Sequence, residues 1–310
     1  MGNIRRTAHD LLAPGRGILV ADEYVARTLD RARPGRGEGC GAHDYLGVAL
    51  DTWGLESYLT GVLLTREAFE ATERQRALRQ YRDGAPPLLH GVRMDPAGDR
   101  APAGADFTEW RANLDPLTVG RGSAHVDATA LARGAARSQA EGVLPMVTIA
   151  MPDLASHSVG VTRAVTANAL RVLFDELDRR AVALDALVLR TNMIVPGDRH
   201  GHRPGAAETA LSTVTLLEEV VPAEVAGIAF LSGGQDADRA ATNLAAVRDL
   251  ARERRAPWRI TFAFTRALVR ESVATWACDG TLDAETQREL VRSCRQAAQA
   301  LAGTGRVASA

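Results

Sequence analysis

Residues 186–197 read ALVLRTNMIVPG, an apolar run from Ala186 to Leu189 followed by Arg190, Thr191 and Asn192. This is the pattern of a buried strand that delivers a charged group at its C-terminal end. An unpaired buried guanidinium is costly, so something anionic should meet it. Other apolar runs end on polar residues in the same way. GILVADE ends on Asp22 and Glu23, LLHGVRMD on Arg93 and Asp95, and DFTEWRANL carries Glu109 and Arg111. In LSGGQD (231–236), Ser232, Gly233 and Gly234 make a glycine-rich turn before a helix start, with Asp236 in N-cap position. Backbone N–H groups in such a turn, backed by a helix N-terminus, suit a phosphate or another anion. Arg266, leaving the last apolar run, is placed to close that site.

Two kinds of chemistry follow from these residue types. Asp22 and Glu109 supply a carboxylate pair, one protonated as general acid and the other acting as base. Arg93 and Arg190 would then stabilise an enediolate, a carboxylate or a second phosphate. The plainer reading of Arg190, Arg93 and Glu109 is a buried ion-pair network without function, because losing one partner costs more than keeping all three. The SGG turn likewise serves either a ligand or only a tight strand-to-helix connection. Its retention together with Arg266 favours the ligand. His200 and His202, in DRHGHRPG, have the spacing of metal ligands but no third partner, so no metal is expected.

Eight runs are long enough to be the strands that carry these groups: 17–23, 58–65, 88–95, 106–114, 144–151, 186–193, 227–234 and 258–265. Near-continuous apolar runs suit parallel strands buried on both faces. Helical periodicity fills 127–142, 164–183, 205–222 and 236–254 between them. Alternating strands and helices predict a (β/α)₈ TIM barrel over residues 1–310 as one domain, with an open doubly wound sheet as the alternative. In a barrel the strand ends listed above would share its C-terminal face.

Bulk composition narrows the setting. The 310 residues are 46% hydrophobic and 24% charged with a formal charge of −1, which gives no electrostatic reason to expect nucleic acid or anionic membrane as partner. No apolar run is long enough to span a bilayer. Three cysteines, odd in number and without metal-type spacing, fit a reduced, cytoplasmic protein. Lysine plus arginine total 37, and all 37 are arginine, so the chain contains no lysine. High-GC coding bias accounts for this in one reading, and exposure to an amine-reactive metabolite in another. Either way no side chain can form a Schiff base.

The segments LLAPGRGILVADE, GVRMD, ADFTEWR, GVLPMV, LVLRTNMIVPG, GIAFLSGGQ and FAFTRAL resemble, in order, those of the class I fructose-bisphosphate aldolases. That resemblance implies a (β/α)₈ barrel cleaving a ketose bisphosphate through a lysine Schiff base, without metal. By the same resemblance Asp22 matches the acidic residue beside the reacting carbon, and Ser232, Gly233 and Arg266 match a phosphate grip. Arg31 matches a second phosphate contact, and Trp110-Arg111 match the dipeptide of the family's KWR. Thr265 replaces the glycine before the phosphate-binding arginine, and Tyr24 replaces a serine. The family's catalytic KPNM is RTNM here, with Arg190 in the lysine position. KVD has become RMD at Arg93, KWR has become EWR at Glu109, and VEPE has become VTIA at Thr148 and Ala150.

These departures lead to the expectation of an aldolase-fold enzyme of specialised metabolism. It would act on a phosphorylated or carboxylated carbonyl compound by acid–base chemistry without a Schiff base: enolisation, C–C bond chemistry, dehydration or cyclisation. Asp22, Glu109, Arg190 and Arg93 would be catalytic, with Ser232, Gly233, Gly234, Arg266, Arg31 and Arg111 binding substrate phosphate. No cofactor is expected, and the family resemblance leaves room for a homo-oligomer. The alternative is a non-catalytic pseudo-aldolase that binds a phosphorylated metabolite or a protein partner.

Overall fold

Each apolar run becomes a strand whose residues alternate between the barrel interior and the surrounding helices. The computed structural model describes residues 1–21, 23–32, 40–79, 88–95, 100–115, 123–153, 155–278 and 282–303. Its strands are β1 (Gly17–Ala21), β2 (Leu59–Leu64), β3 (Leu89–Arg93), β4 (Phe107–Asn113), β5 (Leu144–Ala150), β6 (Val188–Asn192), β7 (Gly227–Leu231) and β8 (Arg259–Phe264). They pair in parallel and in sequence order, and β8 returns to β1. That closing pair makes the fold a (β/α)₈ barrel and excludes the open sheet.

The helices are α1 (Gly2–Leu11), α2 (Glu23–Ala32), α3 (Cys40–Leu50), α4 (Arg66–Arg79), α5 (Ser123–Ala140), α6 (Val159–Arg179), α7 (Ala206–Val220), α8 (Ala237–Glu253), α9 (Arg266–Cys278) and α10 (Asp283–Ala302). The four expected from periodicity are α5 to α8, though α5 and α6 begin four and five residues earlier than 127 and 164. For α6 the start is set by Ser158, whose side chain accepts from the Val161 N–H. Asp236 caps α8 in the same way, accepting from the Arg239 N–H at 2.8 Å. Among the described residues no helix is long and apolar enough to cross a membrane.

Two apolar layers hold the barrel. Inside, Ile18, Val20, Leu63, Phe107, Met146 and Val188 fill the lower half, and Ile4, Ala8 and Leu11 of α1 pack onto them as a stopper. Outside, Trp110, Val147, Leu189 and Phe230 meet the helices. Period-two alternation therefore puts Phe107, Glu109 and Arg111 on the interior face of β4, and Val188, Arg190 and Asn192 on that of β6. Both strands run from apolar to charged as they climb, so charge accumulates at the C-terminal mouth.

Candidate active site

Below the mouth lies a tier of charge in which every group is tied to another. Strand register sets Arg93 beside Glu109, and Thr148 beside both Arg111 and Arg190. Glu109 accepts from Arg93 Nε at 2.7 Å on Oε2, and from Thr148 Oγ1 at 2.7 Å and Arg190 Nη1 at 2.5 Å on Oε1. Arg190 Nη2 donates to the Ala263 carbonyl at 2.9 Å. Glu109 is 0% and Arg190 1% exposed. Burial alone would push the Glu109 carboxyl up. The guanidiniums of Arg93, Arg190 and Arg111, with the Thr148 hydroxyl, outweigh it and hold Glu109 well below the usual carboxylate range. Burial lowers Arg190, opposed by Glu109, to about 10, so the guanidinium remains charged at neutral pH.

This geometry corrects the expected proton-moving role of Glu109. A carboxylate with both oxygens engaged, no exposure and a strong preference for its charged form neither gives nor takes a proton readily near neutrality. It fixes two arginines instead. Arg93 stands behind it and is absent from the walls of the cavity above. Asp22, its expected partner, lies outside the described residues.

That cavity, of about 500 Å³, opens at the C-terminal ends of the strands. Its walls include Arg27, Arg31, Arg111, Arg190 and Arg266, against a single described carboxylate, Asp153. Tyr24, Arg27, Thr28 and Arg31 reach it from α2 at spacing i, i+3, i+4 and i+7, which is one helix face. Ser232, Gly233 and Arg266 line it from the ends of β7 and β8, with the Arg266 guanidinium 5.9 Å from the centre of the Tyr24 ring. Gly233 (φ +57°) and Gly234 (φ +79°) both adopt the left-handed backbone that glycine accepts without strain. Gln235 Nε2 pins the turn by donating to the Ser232 carbonyl at 2.8 Å. Asn192 braces β6 against β5 by accepting from the Met151 N–H at 2.8 Å.

The structure thus brings Arg190, Arg111, Ser232, Gly233, Arg266 and Arg31 to one cavity. Gly234 faces instead a smaller adjoining space of about 210 Å³. The sequence reading passed over Arg27, Thr28 and Asp153. The first two carried a usable signal, helical spacing with Arg31 directly after the first strand. Asp153 carried none, being one acidic residue in a loop.

A shallow charged mouth over an apolar barrel fits many enzymes, so fold and charge alone do not choose among them. The family model for class-I fructose-bisphosphate aldolase matches residues 97–309. The chain belongs to that family. A probable fructose-bisphosphate aldolase class 1 of Xanthomonas axonopodis pv. citri is 29% identical over 313 residues, covering 90% of each chain. Fructose-bisphosphate aldolase 4, cytosolic, of Arabidopsis thaliana is 28% identical over 300 residues, or 85% of this chain and 73% of its own. The structure of fructose-bisphosphate aldolase from Plasmodium falciparum, solved with TRAP and a small-molecule inhibitor, superposes with a TM-score of 0.81 at 24% identity. The match covers 98% of this chain and 95% of that one, and the likeness is one of fold.

The aldolase relatives overturn the expectation of chemistry outside the aldol reaction, and with it the non-catalytic alternative. That expectation rested on residue types at positions 190, 93 and 109. The family match draws on most of the chain, and it points to aldolase chemistry.

Proposed function

We propose that this family member makes and breaks the bond between the α and β carbons of a phosphorylated ketose, the reaction its aldolase relatives are named for. The observation that carries the proposal is one cavity lined by Arg27, Arg31, Arg111, Arg190 and Arg266. Ser232, Gly233 and Arg266 take one phosphate through turn N–H groups and a guanidinium. Arg31 and Arg27, both on α2, take the second anionic group, and Arg111 adds to the field of the cavity.

Cleavage moves the bonding pair toward the ketone, so negative charge grows on the carbonyl oxygen. A cation fixed beforehand near that oxygen lowers the barrier without reorganising. The chain contains no lysine, and Arg190 is the cation at the end of β6. It acts by field and hydrogen bonding, held in place by Glu109, with Arg93 on the other side of that carboxylate. The family resemblance gives Asp22 the proton work: it takes the β-hydroxyl proton as the bond breaks and returns it in the reverse direction.

The test is turnover of fructose 1,6-bisphosphate, followed by enzymes that consume the triose phosphates. Arg266→Ala should raise KM at least tenfold with a smaller change in kcat. Arg190→Ala should lower kcat by about 100-fold or more, the loss typical of one charge-stabilising donor. Triose phosphate formation that is absent, or indifferent to Arg190→Ala, would remove the proposal.

A further inference from the structure

The phosphate grip already contains an anion, supplied by the protein itself. Asp153, in the loop between β5 and α6, forms an ion pair with Arg266. It also lies over the glycine turn: a Cβ added to Gly234 would come within 2.8 Å of the Asp153 Cβ and 3.1 Å of Oδ2. The backbone that carries it is tied down. The Asp153 carbonyl accepts from the Ala155 N–H at 2.9 Å and from the Asp198 N–H at 2.8 Å. His157 O accepts from the Gly197 N–H at 3.0 Å, which joins the same two loops again. A carboxylate held by this frame beside the SGG turn stands where a ligand's anionic oxygen would bind Arg266.

We infer that Asp153 is a built-in competitor for the anion grip, and so a residue that decides which anions the cavity holds. The inference rests on the phosphate-grip reading above. To bind, an anion must take Arg266 from Asp153, and the released carboxylate must find water. Its side chain is 23% exposed and that of Arg266 33%, so the exchange opens toward solvent. Every anion that uses Arg266 meets this same penalty. Weak ligands with one anionic group, such as free phosphate, then drop out of a useful concentration range. A ligand that also engages Arg27 and Arg31 on α2 has enough affinity left to stay bound.

The experiment measures binding of inorganic phosphate by calorimetry to the wild type, Asp153→Asn, Arg266→Ala and the double variant, after thermal unfolding shows each to be folded. Asp153→Asn should tighten phosphate binding by about tenfold or more, the lower range for removing a close charge pair. In the Arg266→Ala background the same change should have less than a threefold effect. Unchanged or weaker binding in Asp153→Asn overturns the inference, as does a gain that persists without Arg266, which would be general electrostatics. Should Arg266→Ala alone leave phosphate affinity unchanged, the grip reading itself fails and the competitor falls with it. Loss of binding in Arg266→Ala with no effect of Asp153→Asn removes the competitor only.

Discussion

Glu109 shows how far a residue's type can mislead about its role. Glutamate at a strand end in an enzyme invites assignment as an acid or base, yet here it is the counter-ion of two arginines. Glu109→Gln would keep the shape and remove the charge, leaving Arg93 and Arg190 uncompensated, at a cost of about 3–5 kcal/mol in stability. The same pairing has a pH signature. Unfolded, this carboxyl titrates near about 4.3, and folded it is held lower, so the unfolded chain takes up the proton first as pH falls. Glu109's stabilisation is therefore full above the unfolded value and declines progressively as pH falls below it toward the lower folded value. Melting curves between about pH 6 and pH 3 should show a Tm decline that is steeper in wild type than in Glu109→Gln. Equal slopes would show that Glu109 is not the group responsible.

At the scale of elements, the site depends on how β4 is seated against α5. Trp110, one residue from Glu109 and on the opposite face of β4, is 1% exposed, and its Nε1 donates to Ser138 Oγ at 2.9 Å. Gly134 of α5 lies against the indole: a Cβ there would come within 2.2 Å of the ring. In an open helix glycine to alanine is worth about 1 kcal/mol of stabilisation. Gly134→Ala should instead destabilise by about 1–3 kcal/mol, because neither the buried ring nor the strand has room to yield. A raised Tm would mean that the Trp110 ring moves freely. The helix that faces the cavity, α2, is organised differently. Its Tyr24, Arg27, Thr28 and Arg31 share a face because of helical spacing, so this wall forms as soon as the helix does.

For the whole molecule, a formal charge of −1 hides a strongly positive mouth. Low-dielectric walls concentrate such a field and draw in polyanions. Raising ionic strength from about 0.01 to 1 M shortens the Debye length from about 30 to about 3 Å. kcat/KM for a bisphosphate should fall steeply over that range, and Arg27→Ala should make the fall shallower. A flat salt response would mean that capture depends on close contacts alone.

The sequence by itself narrowed the fold to parallel strands alternating with helices, a closed barrel or an open sheet, because such runs can bury their faces in few other ways. The β8–β1 pair decided for the barrel. The sequence also determined which residue types stand at the strand ends, including Arg190 and the SGG turn. What those groups touch was decided only by closure of the barrel. Glu109 and Arg190 are 81 residues apart in the chain and meet through the register of β4, β5 and β6. Asp153 meets Arg266 from a loop held in place by backbone hydrogen bonds to residues 197–199, which no side-chain pattern announces. Periodicity encodes which face a residue occupies. Its partner across the barrel depends on shear and loop path, and for charged groups that partner sets the protonation state and therefore the chemistry.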